Sequence, residues 1–320
     1  MDTKKVKTVR KITQWTGITV LAAWISLFAE DIIEVFKKDT NINTIEVTET
    51  KFEVLNKKRE SLWEKDLQTQ ITQYVVEDID GDNRNELIMG FGETGRIPGH
   101  VVVFDRSGNE RWNVNTYSQF FPFNGSRSDE FAIVQLLVQD VTGDSKKEIV
   151  VLAQDPIWFA SRILIFNFQG EQTGDYWHPG RLSKLRLLKD VLTEGSTFIV
   201  VYGVNNNFRE IFEGSKNSLY HSVIFLLDAS NVEGQAPPYH GQVPKGSHKW
   251  YRTILPQGRR ITSVKWEDNT NRFVIVINDG RIFYLDASGK ILGKEEGDKW
   301  ELYAGEQFDT FYEENEFLQE

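Results

Sequence analysis

The chain has 320 residues, of which 40% are hydrophobic and 12% aromatic, enough apolar material for one large folded domain or two ordinary ones. Its formal net charge of −10 argues against nucleic-acid binding, which depends on clustered lysine and arginine. The absence of cysteine excludes disulfides, thiolate zinc sites, iron–sulfur clusters and cysteine nucleophiles.

The first predicted element is a hydrophobic helix. Residues 12–29 carry no charge, and a helix of that length spans about 27 Å, close to the roughly 30 Å hydrocarbon core of a bilayer. A cluster of lysine and arginine precedes it. By the positive-inside tendency, residues 1–11 form a basic cytoplasmic tail, residues 12–38 a single-pass transmembrane or anchor helix, and the remainder lies outside the cytoplasm.

Two other interpretations of this segment stay open. The first is a cleaved signal peptide ending at Ala29, although bulky Phe28 and Leu27 make a poor cleavage site. The second is a helix that docks into a partner or into the chain's own core, because Gln14 and Thr16 leave the segment only moderately apolar. The uncleaved anchor is the favoured interpretation.

From about residue 44 onward the sequence has the period of β-strands, and it repeats. One repeated unit is an apolar strand, a turn of the form Asp/Asn-x-x-Gly, and a second strand that often carries an aromatic residue. Its copies lie at residues 52–63, 103–112, 165–177, 224–228 and 282–289. The pattern predicts a series of β-hairpins.

A second repeated unit precedes the later hairpins. The sequence YVVEDIDGDNRNELIMG at 74–90 aligns with VQLLVQDVTGDSKKEIVV at 134–151, and degenerate copies lie at 185–202 and 261–277. Together the two units supply about four short strands, the content of one propeller blade. We expect an all-β, β-propeller-like domain over residues 39–313, with about five blades and possibly four.

The two ends of this domain raise the question of ring closure. We expect residues 296–313 to supply the partner strands missing from the N-terminal hairpin, and residues 314–320 to be a frayed acidic tail. The stretch from Gly234 to Ser247, rich in glycine and proline, is expected to be a long surface loop.

The sequence DIDGDNRNE at 78–86 resembles the D-x-D-G-D-x-x-x-[DE] signature of FG-GAP/VCBS-type repeats. The resemblance extends over residues 70–290, strongly in the first two copies and weakly in the last two. It implies an integrin-α-like β-propeller, and because the motif loops of that family often hold Ca²⁺, it also implies a structural calcium ion.

The first acidic loop is the better candidate for such a site. Hard carboxylate oxygens suit Ca²⁺, and like charges packed together repel unless a cation or hydrogen-bond donors neutralise them. The candidate ligands are Asp78, Asp80, Asp82 and Glu86. The alternative is a metal-free loop in which the aspartates accept hydrogen bonds from backbone N–H groups.

The second loop offers a weaker version of the same set. Threonine replaces a carboxylate and two lysines lie beside it, so a turn held by aspartate–backbone hydrogen bonds is favoured there. Its candidate ligands are Asp140, Thr142, Asp144 and Glu148.

No catalytic centre is predicted. The five histidines show no H-x-x-x-H pairing, and no nucleophile elbow, P-loop or nicotinamide fingerprint is present. We therefore expect a membrane-anchored, non-catalytic binding or sensing module for a protein or glycan partner. The alternatives are a subunit of a membrane-bound assembly, oligomeric through its N-terminal helix, and a Ca²⁺-dependent carbohydrate-active enzyme.

Overall fold

The computed structural model describes residues 39–67, 69–93, 97–118, 131–156, 160–206, 221–236, 246–254, 260–295 and 311–313. The strands are β1 (Thr44–Val47), β2 (Lys51–Leu55), β3 (Ser61–Asp66), β4 (Ile71–Glu77), β5 (Glu86–Glu93), β6 (Ile97–Phe104), β7 (Glu110–Asn115), β8 (Ala132–Gln139), β9 (Glu148–Gln154), β10 (Ser161–Phe166), β11 (Gln172–His178), β12 (Leu182–Lys189), β13 (Thr197–Asn205), β14 (His221–Asp228), β15 (Glu233–Gln235), β16 (His248–Ile254), β17 (Ile261–Glu267), β18 (Arg272–Ile277), β19 (Ile282–Asp286), β20 (Ile291–Glu295) and β21 (Phe311–Glu313).

These strands form five sheets that follow one another along the chain. The first contains β1-β2-β3, the second β4 to β7, the third β8 to β11, the fourth β12-β13-β14-β16-β21, and the fifth β17 to β20. Every pairing is antiparallel except that of β15, which adds in parallel to β11 at the edge of the third sheet. The described chain is therefore all-β and β-propeller-like, with five sheets, as the strand periodicity predicted.

The sheets pack face to face in succession. Each of four buried apolar clusters joins two consecutive sheets, from the first and second to the fourth and fifth. Strands β9 and β10 are buried along their whole length because the third sheet is covered on both faces. Among the described residues no buried cluster joins the fifth sheet to the first.

The first strands of the second, third and fourth sheets lie side by side. Gln73 of β4 accepts a hydrogen bond from the backbone N–H of Leu136 in β8 at 2.7 Å and donates to the Leu136 carbonyl at 3.2 Å. Gln135 of β8 makes the same pair of bonds with Leu185 of β12, both at 3.0 Å. We call β4, β8, β12 and β17 the inner strands.

The Asp/Asn-x-x-Gly turns also connect neighbouring sheets. In the second sheet, Asp105 Oδ1 accepts the backbone N–H groups of Ser107 and Asn109 at 2.8 and 2.9 Å, and Gly108 takes a φ of +82°. Trp63 of the first sheet lies against this turn and donates its indole N–H to the Arg106 carbonyl at 3.0 Å. A Cβ at Gly108 would lie 2.9 Å from Trp63 Cδ2, so the turn needs glycine for contact as well as for φ.

The same contact recurs twice. Trp112 donates to the Phe168 carbonyl at 3.0 Å and lies against Gly170 of the third sheet. Trp250 donates to the Ala287 carbonyl at 2.8 Å, and a Cβ at Gly289 would lie 2.5 Å from its ring. We call this contact the tryptophan lock, and it joins the first sheet to the second, the second to the third, and the fourth to the fifth.

Two expectations about the connections were wrong in the part that the described residues cover; residues 237–245 of the expected surface loop lie outside them. The segment expected to be a surface loop from Gly234 begins inside β15, where Gly234 pairs with Tyr176 of β11. The C-terminal residues 311–313 do not pair with the first sheet, because β21 pairs with β16 of the fourth sheet. Residues 296–310 lie outside the described residues, and the described strands of the first sheet number three, with β1 at the edge.

The predicted anchor lies outside the described residues, as do the predicted tails at 1–11 and 314–320. Within the part of the chain that is described, no helix is long and apolar enough to cross a membrane. The described chain enters the first sheet through Asp39, whose carbonyl accepts a hydrogen bond from Asn56 Nδ2 at 2.9 Å.

Candidate functional site

The first acidic loop connects β4 to β5. Ligand atoms of Asp78, Asp80 and Glu86 lie within 4.8 Å of one another, whereas Asp82 is not part of this group. The loop folds this way because Gly81 and Asn83 adopt positive φ angles of 83° and 63°, which these two residue types tolerate.

Backbone N–H groups are donors to this cluster. Asp78 accepts hydrogen bonds from the N–H groups of Gly81 and Asn83, both at 2.8 Å, and Glu86 Oε2 accepts from Ile79 N at 3.1 Å. Asp80 Oδ1 accepts a longer hydrogen bond, of 3.3 Å, from the backbone N–H of Asp82. These contacts are the aspartate–backbone bonds of the metal-free alternative.

Arg111 of β7 completes the cluster. Its Nη1 lies 2.9 Å from Asp80 Oδ2 and 3.1 Å from Glu86 Oε1. Burial raises the pKa of Glu86 to about 7, against the opposing effects of the Ile79 N–H and the Arg111 charge. Asp80 and Glu86 each accept one backbone N–H only, and Arg111 supplies the positive charge that faces the second oxygen of each.

The contacts of these carboxylates show whether the loop, as it is arranged, has room for a calcium ion. The oxygen donor set is of the type that Ca²⁺ prefers. However, each carboxylate oxygen of Asp78, Asp80 and Glu86 already faces an N–H donor, and the guanidinium of Arg111 takes the cationic position. As it stands, the loop does not fit a calcium ion, because Arg111 would have to leave first.

The second acidic loop connects β8 to β9 and has a similar backbone. Asp140 accepts the N–H groups of Gly143 and Ser145 at 2.6 and 3.0 Å, and Glu148 Oε2 accepts from Val141 N at 2.9 Å. Burial raises the pKa of Glu148 above its usual value.

The remaining candidates of this loop do not join Asp140 and Glu148 in a metal-like group. Asp144 accepts a hydrogen bond from Lys146 N at 2.8 Å, and Thr142 Oγ1 lies 3.4 Å from Glu148 Oε1. Among the described residues, the only group with metal-ligand spacing is the one in the first loop.

Two positions that lie together in the fold change between the first copy of the repeat and the second. Asp80 of the first copy corresponds to Thr142 of the second, and the strand registers align Arg111 of β7 with Thr173 of β11. The carboxylate and its guanidinium partner are thus replaced together. This joint replacement supports a structural pairing of Asp80 with Arg111.

Histidine 178 is a buried polar residue whose role the sequence did not reveal. Its Nε2 lies 2.8 Å from Tyr251 Oη, and its Nδ1 lies 3.2 Å from Gly180 N. Burial lowers the pKa of His178 to about 3, so the ring is neutral at physiological pH. It joins β11 of the third sheet to β16 of the fourth and has no exposure to a substrate.

Two surface cavities were also missed by sequence reasoning. One, of about 400 Å³, has an aromatic floor that includes Phe91 and Phe104 and a charged rim that includes Lys65, Asp66 and Glu110. It is a groove at the junction of the first two sheets, and we call it the aromatic groove.

The second cavity, of about 370 Å³, lies where three inner strands converge, and we call it the inner pocket. Val134 of β8, Ser183 of β12 and Ile261 of β17 line it, together with Arg181 and Arg260. The two arginines are 79 positions apart in the chain, which is why no local sequence pattern revealed the pocket.

No family model matches the chain, and no curated protein matches it. The FG-GAP/VCBS resemblance over residues 70–290 thus remains a resemblance, carried by the motif at residues 78–86.

Solved structures similar to the chain include β-propellers. BamB from Moraxella catarrhalis has a TM-score of 0.44 and 11% identity, over 79% of this chain and 60% of BamB. The β-propeller domain of Swd1 from Myceliophteria thermophila has a TM-score of 0.44 and 10% identity, over 78% of this chain and 68% of the domain. BBS1N in complex with ARL6DN has a TM-score of 0.42 and 9% identity, over 81% of this chain and 70% of BBS1N.

The chain thus spans 60% of the length of BamB. The fold is established by the five sheets of the chain itself.

Proposed function

We propose that the chain is a membrane-anchored, non-catalytic binding module that presents its propeller-like domain to a protein partner. The observation that carries this proposal is that the conspicuous buried ionisable groups of the described residues are engaged in structural contacts. A reactive centre instead needs a group held ready for a substrate.

Two ion pairs, one half-buried and one buried, illustrate the point. Arg162 Nη2 lies 2.7 Å from Asp175 Oδ2, and the same guanidinium donates to the Thr116 carbonyl at 3.0 Å. Arg281 Nη2 lies 2.7 Å from Asp279 Oδ2, and both side chains are less than 5% exposed. These groups hold strands and turns together, as Arg111 does in the first acidic loop.

The aromatic groove is one surface suited to a partner. His100 stacks on Phe91 with ring centroids 4.9 Å apart, and Lys65 Nζ lies 5.1 Å from the Phe104 centroid. An aromatic floor with a polar rim is the composition of protein interfaces, and it also suits a glycan.

The membrane part of the proposal rests on the uncharged residues 12–29 and the basic residues before them. The connection to the domain is short, because Asn41 Oδ1 accepts a hydrogen bond from Asn85 N at 2.7 Å in the first acidic loop. An anchor at 12–38 would therefore hold this end of the domain near the membrane surface. We propose a single-pass topology with a cytoplasmic N-terminus.

A second candidate is a subunit of a membrane-bound assembly whose N-terminal helix packs with partner helices. The short, hydrogen-bonded connection at residues 39–43 favours it, because a rigid connection transmits the position of a helix to the domain. The sequence-based alternative of a Ca²⁺-dependent carbohydrate-active enzyme gains no specific observation from the described residues.

Protease accessibility in intact cells tests the proposed topology. Digestion of the domain from outside, leaving a short protected N-terminal fragment, supports the anchored extracytoplasmic module. Protection that ends only on lysis would contradict it and would favour the assembly subunit. A variant that lacks residues 1–38 should leave the membrane fraction if these residues are the anchor.

A further inference from the structure

The inner pocket is built from residues whose backbones are fixed. The Arg181 carbonyl accepts a hydrogen bond from Val204 N at 2.9 Å. Arg260 N donates to Asn278 Oδ1 at 3.0 Å, and its carbonyl accepts from Asn278 N at 2.9 Å. Both arginines of the pocket therefore leave well-anchored backbone positions, so binding a ligand does not have to order the backbone at these residues.

Glycines allow the strands to approach closely at this point. A Cβ at Gly203 would collide with the Arg181 carbonyl oxygen, and a Cβ at Gly180 would collide with that of Val204. The close approach fixes where the Arg181 side chain leaves the sheet. The pocket is thus a product of packed strands.

The surface beside the pocket is basic in a chain whose net charge is −10. Arg181, Lys184, Arg186 and Lys189 are exposed on and just before β12. Within the described part of the chain, no carboxylate forms an ion pair with any of these four side chains. The exposed inner-strand residues of the second and third sheets, in contrast, include uncharged Tyr74 and Val134.

The form of the ligand follows from what is already occupied. Gln135 bonds both the N–H and the carbonyl of Leu185, so a partner strand cannot pair with β12 at that residue. The partner must instead be recognised through side chains. A pocket of about 370 Å³ is at the small end of ligand sites and holds a few side-chain groups, with Val134 offering an apolar contact.

We propose that the inner pocket and the basic face of β12 bind an acidic segment of a protein partner, with a carboxylate held in the pocket that Arg181 and Arg260 line. Guanidinium groups recognise carboxylates through paired N–H donors, and opposite charge steers the partner to this face. The proposal rests on the proposed binding function and names the chemistry of its partner.

Fluorescence anisotropy on the full-length chain tests the proposal. The probe is a short labelled peptide of alternating glutamate and tyrosine. The wild type should bind it, and Arg181→Glu should weaken binding by about tenfold or more, because attraction becomes repulsion. Lys58→Glu is the matched control: it makes the same charge change at an exposed turn of the first sheet and should leave binding within about twofold.

Four results would overturn the proposal. An equal loss in Lys58→Glu would show that only overall charge matters. Tighter binding of single-stranded DNA or heparin than of the peptide would show a general polyanion surface. A marked gain in peptide affinity on deleting residues 314–320 would make the chain's own acidic tail the occupant. Absence of peptide binding to the wild type would also overturn it.

Failure of this inference is distinguishable from failure of the proposed function. If the peptide does not bind but residues of the aromatic groove crosslink to a protein at the cell surface, the binding module stands and the inner pocket is not its site. If the domain is protected in intact cells, the proposed topology fails whatever the peptide does.

Discussion

The junctions between sheets are made in two ways. In the first way, an indole lies against the turn of the next sheet, as Trp112 does against Gly170. In the third sheet the position that corresponds to Trp112 is Gly174, and Val232 packs there together with β15, the edge strand that the connection between β14 and β16 adds to this sheet. The third sheet thus keeps the Asn-x-x-Gly turn of the repeat, but Val232 and β15 take the place of the tryptophan.

In the described residues, the fifth sheet lacks the tryptophan of the lock and the first sheet lacks its turn glycine. Gly293 stands at the tryptophan position, and nothing lies within 4 Å of a Cβ built there. In the first sheet, Arg59 with a φ of 61° stands where the other turns have glycine. The comparison shows that inter-sheet contacts are specified junction by junction.

The largest expected effect is at a tryptophan lock. Trp112→Ala should lower the free energy of unfolding by about 2–4 kcal/mol, because it removes ring packing and the bond to the Phe168 carbonyl. Chemical denaturation measures it. Tyr117→Ala, at an aromatic residue that is 42% exposed, is the control and should cost less than about 0.5 kcal/mol. Equal costs would contradict the lock.

Acid should act on the junction between the third and fourth sheets. The folded pKa of His178 is about 3, below its usual 6.5, so above pH 6.5 the ring is neutral in both states and has no effect. As the pH falls below 6.5, the unfolded state takes up a proton that the folded state does not. Stability should then fall by about 1.4 kcal/mol per pH unit until the folded pKa is reached.

The substitution His178→Gln should make the free energy of unfolding less dependent on pH below 6.5. The measurement is the denaturation midpoint of both proteins between pH 4 and pH 7, a range set by the pKa values of about 3 and 6.5. Parallel curves for the two proteins would show that the acid sensitivity arises elsewhere.

Two glycines at equivalent positions give a smaller, matched comparison. A Cβ at Gly174 would lie 2.9 Å from the Val232 carbonyl, so Gly174→Ala should cost about 1–3 kcal/mol. Gly293→Ala meets no neighbour and should be neutral within about 0.5 kcal/mol. A similar cost for both would mean that β15 does not fill the position of the missing tryptophan.

Calcium should have the smallest effect in the wild type. Because Arg111 pairs with Asp80 and Glu86, we expect the melting temperature to be the same with calcium and with a chelator. Arg111→Gln should gain about 1 kcal/mol of calcium-dependent stability at several times its Kd. Greater stabilisation of the wild type would contradict the structural role of Arg111 and support the calcium site implied by the family resemblance.

The strands and turns were predictable because they depend on local pattern. Alternation of apolar and polar residues fixes the faces of strands such as β7, and Asp105 and Gly108 fix a turn within four residues. The four-residue spacing of Trp112 from its turn glycine, Gly108, was a readable signal for one of the locks. The parallel addition of β15, the pairing of Arg111 with Asp80 and the convergence of Arg181 with Arg260 were not, because each joins residues far apart in sequence.

The most direct test of the binding proposal is site-specific photo-crosslinking from Ser183 in intact cells, with a crosslinker at Lys58 as the control position. The account predicts a product specific to Ser183, in which mass spectrometry finds an acidic segment of another protein and which Arg260→Glu abolishes. Equal products from both positions, or crosslinks from Ser183 only to this chain's own residues 314–320, would contradict it.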